Sequence, residues 1–189
     1  MPTRAEVIAG IYGAYRLARA DAGAMSYFDT TLDGFWKSFF AAAVVAPFYL
    51  LLLVLRLATA QTGVLDPLRF FTAEAIGYVI AWVAFPLIMI PLSEALDRRD
   101  HYFRYLVAYN WAAVIQNAIY LPLGFLILSG LVPFGLAVLL ELAAIGAILA
   151  YAWFIARTAL DIPGLTAAGL VFIDFVVGFA INKVTGVLS

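Results

Sequence analysis

The sequence predicts an all-α membrane protein: a polytopic bundle of five transmembrane helices preceded by an N-terminal amphipathic interfacial helix. Three observations predict it. Of the 189 residues, 66% are hydrophobic and 12% charged, where an ordinary soluble domain carries about 25% charged residues. Five stretches reach the ~20 mostly apolar residues that a spanning helix needs. The sequence between them holds the charges, prolines and glycines that stop helices. A soluble fold of this length has too little interior for so much apolar surface, so lipid is the expected solvent.

The chain divides into residues 1–35, a cytoplasmic amphipathic segment, and residues 36–189, the transmembrane domain. Thr3 and Glu6 have capping-box spacing, so a helix is expected to start at Arg4. On a helical wheel Val7, Ile8, Ile11, Tyr12 and Tyr15 gather on one side, with Arg4 and Arg19 flanking the arc and Arg16 away from it. This pattern fits a helix lying along the headgroups, with Arg4, Arg16 and Arg19 facing lipid, and equally a helix packed on the protein's own loops. No uninterrupted apolar core precedes a small-residue cleavage site, so a signal peptide is not expected.

The spans fall near 37–58, 73–95, 104–128, 132–157 and 164–186. Asp66-Pro67 breaks the chain after the first, and Thr72 is placed to cap the second. Asp97-Arg98-Arg99-Asp100-His101 is too charged to cross a bilayer. Ser129-Gly130 turns between spans three and four, and Asp161-Ile162-Pro163-Gly164 ends one helix and opens the next. Gly164 with Ala168, and Ala143 with Ala147, have the small-xxx-small spacing of close helix contacts.

Basic residues set the orientation. With the N-terminus inside, the cytoplasmic side holds Arg4, Arg16, Arg19, Lys37, Arg98, Arg99, Arg104 and Arg157, and the outer side Arg56, Arg69 and Lys183. The positive-inside rule then favours N-terminus in and C-terminus out. A bacterial inner membrane is the expected location, with the lipid bilayer and other membrane subunits or further copies of the chain as partners.

Several chemistries are excluded or weakened. A net charge of −1 offers no basic stripe for nucleic acid. The absence of cysteine removes disulfides, thiolate metal sites and thiol nucleophiles. The single histidine, His101, lies in the charged loop, leaving no paired histidines for haem and no partner for a serine or zinc protease. No glycine-rich phosphate loop follows a strand. Neither catalysis nor a cofactor is expected.

Ionisable groups inside spans are costly, about 2.5–3.5 kcal/mol at the helix centre, and usually face protein or a cavity. Asp174 and Glu141 are the carboxylates well inside spans. At ~1.5 Å per residue, with Arg157 and Pro163 level, Asp174 lies about 16 Å up and Glu141 about 24 Å up. They are offset and are not expected to pair. Glu141 is level with Lys183 and Asn182, which predicts a structural ion pair supported by the amide. Asp174 is level with Gln116 and Asn117, and Asn110 extends their face one heptad toward the cytoplasm. Pro47 and Pro86 fall near the same depth, each removing a backbone donor. Asp174, Gln116, Asn117 and Asn110 form the candidate midplane polar site; interhelical hydrogen bonding explains the amides as readily.

An N-terminal cytoplasmic segment, five spans and short loops, with the last hairpin YAWFIARTALDIPGLTAAGLVFIDFVVGF, make the layout resemble the Yip (Ypt/Rab-interacting protein) family and its bacterial relatives. The Asp-Leu-x-Gly-Pro motif of the eukaryotic members is missing, so no partner residues carry over. The resemblance implies a helical bundle acting in membrane organisation or within a larger assembly.

The leading expectation is a non-enzymatic accessory or scaffolding subunit of a membrane assembly. The alternatives are a small proton- or cation-linked transporter or channel using the midplane carboxylate, and a lipid-binding, membrane-organising protein using the N-terminal helix. The topology makes a direct prediction. A reporter active only in the cytoplasm, fused to Ser189, gives no signal; a strong signal reverses the orientation.

Overall fold

The computed structural model describes residues 1–59 and 66–188, and among them it contains helices and no strand. Helix α1 spans Arg4–Ala18 and is closed at its start by the expected capping box. The Glu6 amide donates to Thr3 Oγ1 at 3.3 Å, and the Thr3 amide donates back to Glu6 Oε2 at 2.6 Å. Lys37 donates to the other oxygen, Glu6 Oε1, at 2.7 Å. That bond first, and the Thr3 amide second, lower the Glu6 carboxyl from its ordinary 4.5 to about 2. The contribution of this clasp is therefore whole above the ordinary carboxylate range and is lost only as pH falls through about 2.

A 3-10 turn (Ala22–Tyr27) and the short helix α2 (Leu32–Ser38) lead into α3 (Phe40–Thr59). Asp66 caps α4 (Pro67–Ala95) by accepting from the Leu68 amide, with Pro67 in the first turn, where its missing N–H is harmless. Asp97, at φ 56°, and a 3-10 turn over Arg99–His101 reverse the chain into α5 (Tyr102–Leu128). Gly130, at φ 71°, makes the turn to α6 (Phe134–Leu160). Asp161, at φ 53°, ends α6, and α7 (Gly164–Leu188) begins three residues later. This last corner is tied down twice: Trp153 Nε1 donates to the Gly164 carbonyl at 2.8 Å, and Arg98 Nε to the Asp161 carbonyl at 3.3 Å.

Five helical segments are long and apolar enough to cross a membrane: Leu32–Thr59, Pro67–Ala95, Arg99–Leu128, Phe134–Leu160 and Gly164–Gly186. They alternate in direction, so α1, the start of α5 and the corner between α6 and α7 share one end of the bundle, here termed the α1 end. The second helix starts at Pro67 rather than near 73, capped by Asp66 and not by Thr72, which puts Arg69 on the helix and Glu74 two turns inside it.

Lipid tails are as apolar as leucine, so helices in a bilayer gain little from hiding leucine and associate through close backbone approach. The packing follows that rule. Ala108 and Ala112 on α5, Ala156 and Ala159 on α6, and Ala167 on α7 are all fully buried. Ala143, Ala147 and Ala168, expected at contacts, are exposed; Ala137, Ala144 and Ala167 occupy the contact face instead. Ala144 and Ala167 lie next to Ala143 and Ala168, and one position turns a helical side chain by about 100°.

Helix α5 is the hub, packing against α1, α2, α3, α4 and α6. Helix α1 meets it through its small-residue face, Gly10, Gly13 and Ala14, while Ile8, Tyr12 and Tyr15 stay exposed. The expected apolar arc is thus split: Val7 and Ile11 pack on the core, and the other three do not. A Cβ added at Gly10 would stand 2.4 Å from the Trp111 indole, which is itself 4% exposed and has nowhere to move. Tyr151 on α6 reaches the same helix, donating to the Ala14 carbonyl at 2.7 Å.

Gly10→Ala therefore lowers stability by about 1–3 kcal/mol through overpacking. Gly169→Ala, where an added Cβ meets nothing within 4 Å, is neutral or stabilising by up to about 1 kcal/mol. Thermal unfolding of the two variants in detergent checks the contrast.

Candidate functional site

Four helices, α3, α4, α5 and α7, surround a cleft of about 260 Å³. Its walls come from positions spaced three or four residues apart. Helix α4 contributes Glu74, Tyr78 and Trp82; α5 contributes Tyr109, Ala113 and Asn117; α7 contributes Gly178, Ile181, Asn182 and Thr185; and Tyr49 enters from α3. Residues at that spacing share one face of a helix, so three otherwise apolar helices each turn one polar stripe inward. Within its wall, helices α4 and α7 approach closely: a Cβ at Gly77 would lie 2.5 Å from Thr185 Oγ1.

Glu74 is 4% exposed and fully engaged. Tyr49 Oη donates to Oε2 at 2.7 Å, and Arg56 Nη1 to Oε1 at 3.0 Å. Arg56 itself lies 5.8 Å from the Phe70 ring, and its side chain is 42% exposed. Tyr49 and Tyr78 stack with centroids 5.1 Å apart, and Tyr78 Oη donates to the Ala42 carbonyl at 2.7 Å. Glu74 escaped the sequence reading because it fell on the second residue of a span thought to start near 73. The signal that reveals it is the i, i+4, i+8 series Glu74, Tyr78, Trp82.

Asp174 does not line the cleft; it lies one turn before Gly178 on α7 and is joined to the wall through Tyr109. It is half-buried, and Tyr109 Oη donates to its Oδ1 at 2.9 Å. Among the described residues no lysine, arginine or histidine pairs with it. Its partner is therefore neither Gln116 nor Asn117. Because α5 begins at Tyr102 rather than 104, the level of Asp174 falls near Ala112, about one turn from Tyr109, a gap its long side chain covers. Asp174 also lies on the α1 side of the middle of the bundle, level with the packing of Gly10 on Trp111. At ~1.5 Å per residue, Glu74 stands about 16 Å farther from the α1 end.

The remaining expected residues separate. Asn117 is on the cleft wall, and its Nδ2 donates to the Ala113 carbonyl of its own helix at 2.8 Å. Gln116 is half-buried and makes no hydrogen bond among the described residues. Asn110 is fully buried and donates to Ser38 Oγ at 2.8 Å, a link between α5 and α2 outside the cleft. The expected Glu141–Lys183 pair does not form. Both residues are exposed, and Lys183 Nζ lies 5.5 Å from the Phe179 ring. The cause is azimuth: Lys183 is two residues, about 200°, from the inward Thr185 and points away from the bundle. Asn182 lines the cleft instead of serving that pair.

Tyr102 Oη donates at 3.0 Å to the carbonyl of Pro86 itself, not to the carbonyl four residues earlier that this proline leaves without its helical donor. At the α1 end Arg4 and Arg19 are exposed, with Arg19 5.8 Å from the Tyr15 ring. Arg16, expected to face lipid, instead donates to Asp21 Oδ2 and to Tyr27 Oη, so its guanidinium is already occupied.

Among the described residues the fold is all-helical, with five helices long and apolar enough to cross a membrane and a half-open cleft of mixed polar and apolar lining between four of them. No protein family, curated protein or solved structure matches the chain.

The Glu74 pair yields a prediction. Arg56→Met strands a buried carboxylate and costs about 3 kcal/mol or more. Glu74→Gln costs less, because the half-exposed Arg56 turns to water, and the double Arg56→Met, Glu74→Met variant recovers most of the loss. Unfolding midpoints of the three variants decide it; an unaltered Arg56→Met midpoint contradicts the pairing.

Proposed function

We propose that the protein is a non-enzymatic integral membrane protein that moves protons or a small monovalent cation through the cleft between α3, α4, α5 and α7. One observation carries this reading: a cleft between apolar helices with the ion-paired Glu74 on its wall and, just beyond it but bonded to the wall residue Tyr109, the Asp174 carboxylate, which has no ionic partner among the described residues. Glu74, held by Arg56 and Tyr49, supplies a fixed, charge-balanced end. Asp174, held only by the Tyr109 hydroxyl, supplies a carboxylate that gains a proton or cation without first breaking an ion pair. Intramembrane ionisable groups in this situation mark ion and proton pathways. Tyrosine hydroxyls and the Asn117 and Asn182 amides are both donors and acceptors, which suits them to pass a proton or to solvate a cation along the wall.

The exposed charges at Glu141 and Lys183 favour work within an assembly, which keeps the accessory-subunit reading as its setting rather than its rival. The bundle's N-terminus faces the cytoplasm of a bacterial cell and its C-terminus the periplasm on the positive-inside argument. Placement of the exposed Tyr12 and Tyr15 against headgroups, and a role in membrane organisation like that of the Yip family, rest on layout.

The test is flux in proteoliposomes of purified protein under an imposed proton, sodium or potassium gradient. Wild type dissipates one of these gradients. Asp174→Asn and Asp174→Leu each cut the rate per folded molecule at least tenfold with helix content by circular dichroism unchanged, and Tyr109→Phe cuts it less. A Leu variant that carries at the wild-type rate, or a wild type that carries none of the three ions, ends the reading.

A further inference from the structure

Helices α6 and α7 carry two charged side chains that the chain leaves without an ionic partner. Glu141 and Lys183 are both exposed, and among the described residues neither belongs to an ion pair. The surface around them is apolar: Leu139 and Leu142 on α6, and Phe179 and Val184 on α7, are all more than half exposed. Charges on an apolar, lipid-facing surface are unfavourable and are retained where they meet a counter-charge in protein.

Their level identifies the counter-charge. Helix α6 ends at Leu160 and α7 begins at Gly164, so Glu141 and Lys183 both stand nineteen residues from the corner that joins them. They lie at one height on two neighbouring, antiparallel helices, yet point outward. A two-fold rotation about an axis parallel to the helices keeps every residue at its height. It therefore brings Glu141 against the partner's Lys183 and, by the same operation, Lys183 against the partner's Glu141. A different membrane protein needs an acid and a base of its own at this height; a second copy of the chain supplies both.

We infer that the protein forms a parallel two-fold dimer through the exposed faces of α6 and α7, closed by two reciprocal Glu141–Lys183 ion pairs. This goes beyond the reading of the cleft and does not depend on it, because Lys183 is not a cleft residue and is turned about 100° from Asn182 and about 200° from Thr185.

The chain has no cysteine, which makes the test clean. Glu141→Cys in one tagged copy and Lys183→Cys in a differently tagged copy are co-expressed, and the native membranes are oxidised. A disulfide joining the two tags is the expected result. In parallel, native mass spectrometry compares wild type with Glu141→Lys, Lys183→Glu and the double swap. Each single reversal lowers the dimer fraction at least tenfold and the double swap restores it, with helix content by circular dichroism unchanged throughout. A wild type that is monomeric, or dimeric to the same extent in all four forms with no cross-tag disulfide, overturns the proposal. So does a disulfide found only within a single chain carrying both cysteines, which places the pair inside one copy.

Discussion

Three consecutive residues of α5 hold the molecule together. Tyr109 donates to Asp174 on α7, Asn110 donates to Ser38 on α2, and Trp111 receives Gly10 of α1. Successive side chains on a helix project about 100° apart, so three neighbours in sequence reach three different elements. The α5 helix must therefore keep its rotation to within a fraction of a turn for all three contacts to exist together. Asn110, buried completely, brings the largest penalty for error, because a buried amide without its bond is expensive in a medium that offers no water.

That constraint explains the division of the bundle into two parts. Toward the α1 end, the first 28 residues share one continuous core with α5 and α6, built from alanines and from aromatic rings such as Phe28, Phe35 and Trp111. Farther from α1 the packing loosens around the polar cleft. The same α5 helix serves both: Tyr109 belongs to the clamp through Asp174 and to the cleft as a wall residue. On the proposed function, a proton or cation arriving at Asp174 would act on a bond that also fixes α7 against α5, and so couple binding to helix position by the kind of differential contact a conformational change requires.

Much of the architecture was legible in the sequence because lipid imposes a simple pattern. The five apolar segments, the Thr3–Glu6 capping box and the Asp161–Gly164 corner all stand where local chemistry puts them, whereas Asp66-Pro67, read as a break, opens the helix that Thr72 was expected to cap. What depends on rotation about a helix axis was less legible. Counting residues gives height, and it correctly keeps Glu141 away from Asp174. It does not give azimuth, so it paired Glu141 with a lysine that faces outward and matched Asp174 with amides that face elsewhere. Glu74 was hidden for a related reason. Arg69, Thr72 and Glu74 together depress the local hydropathy, so the apparent span began too late and an interior carboxylate looked like a boundary residue.

The central claim is that water reaches a cleft inside a bundle whose outer surface faces lipid, and thiol accessibility tests it most directly. The chain's lack of cysteine allows single reporters. Asn182→Cys lies on the cleft wall, and Val184→Cys, about 200° around α7 from it, lies on the outward, 60% exposed face. In native membranes a small water-soluble thiol reagent is predicted to label the cysteine at 182 rapidly and the one at 184 at least tenfold more slowly, with both equally reactive after denaturation. Equal protection of the two sites in the membrane would contradict the account.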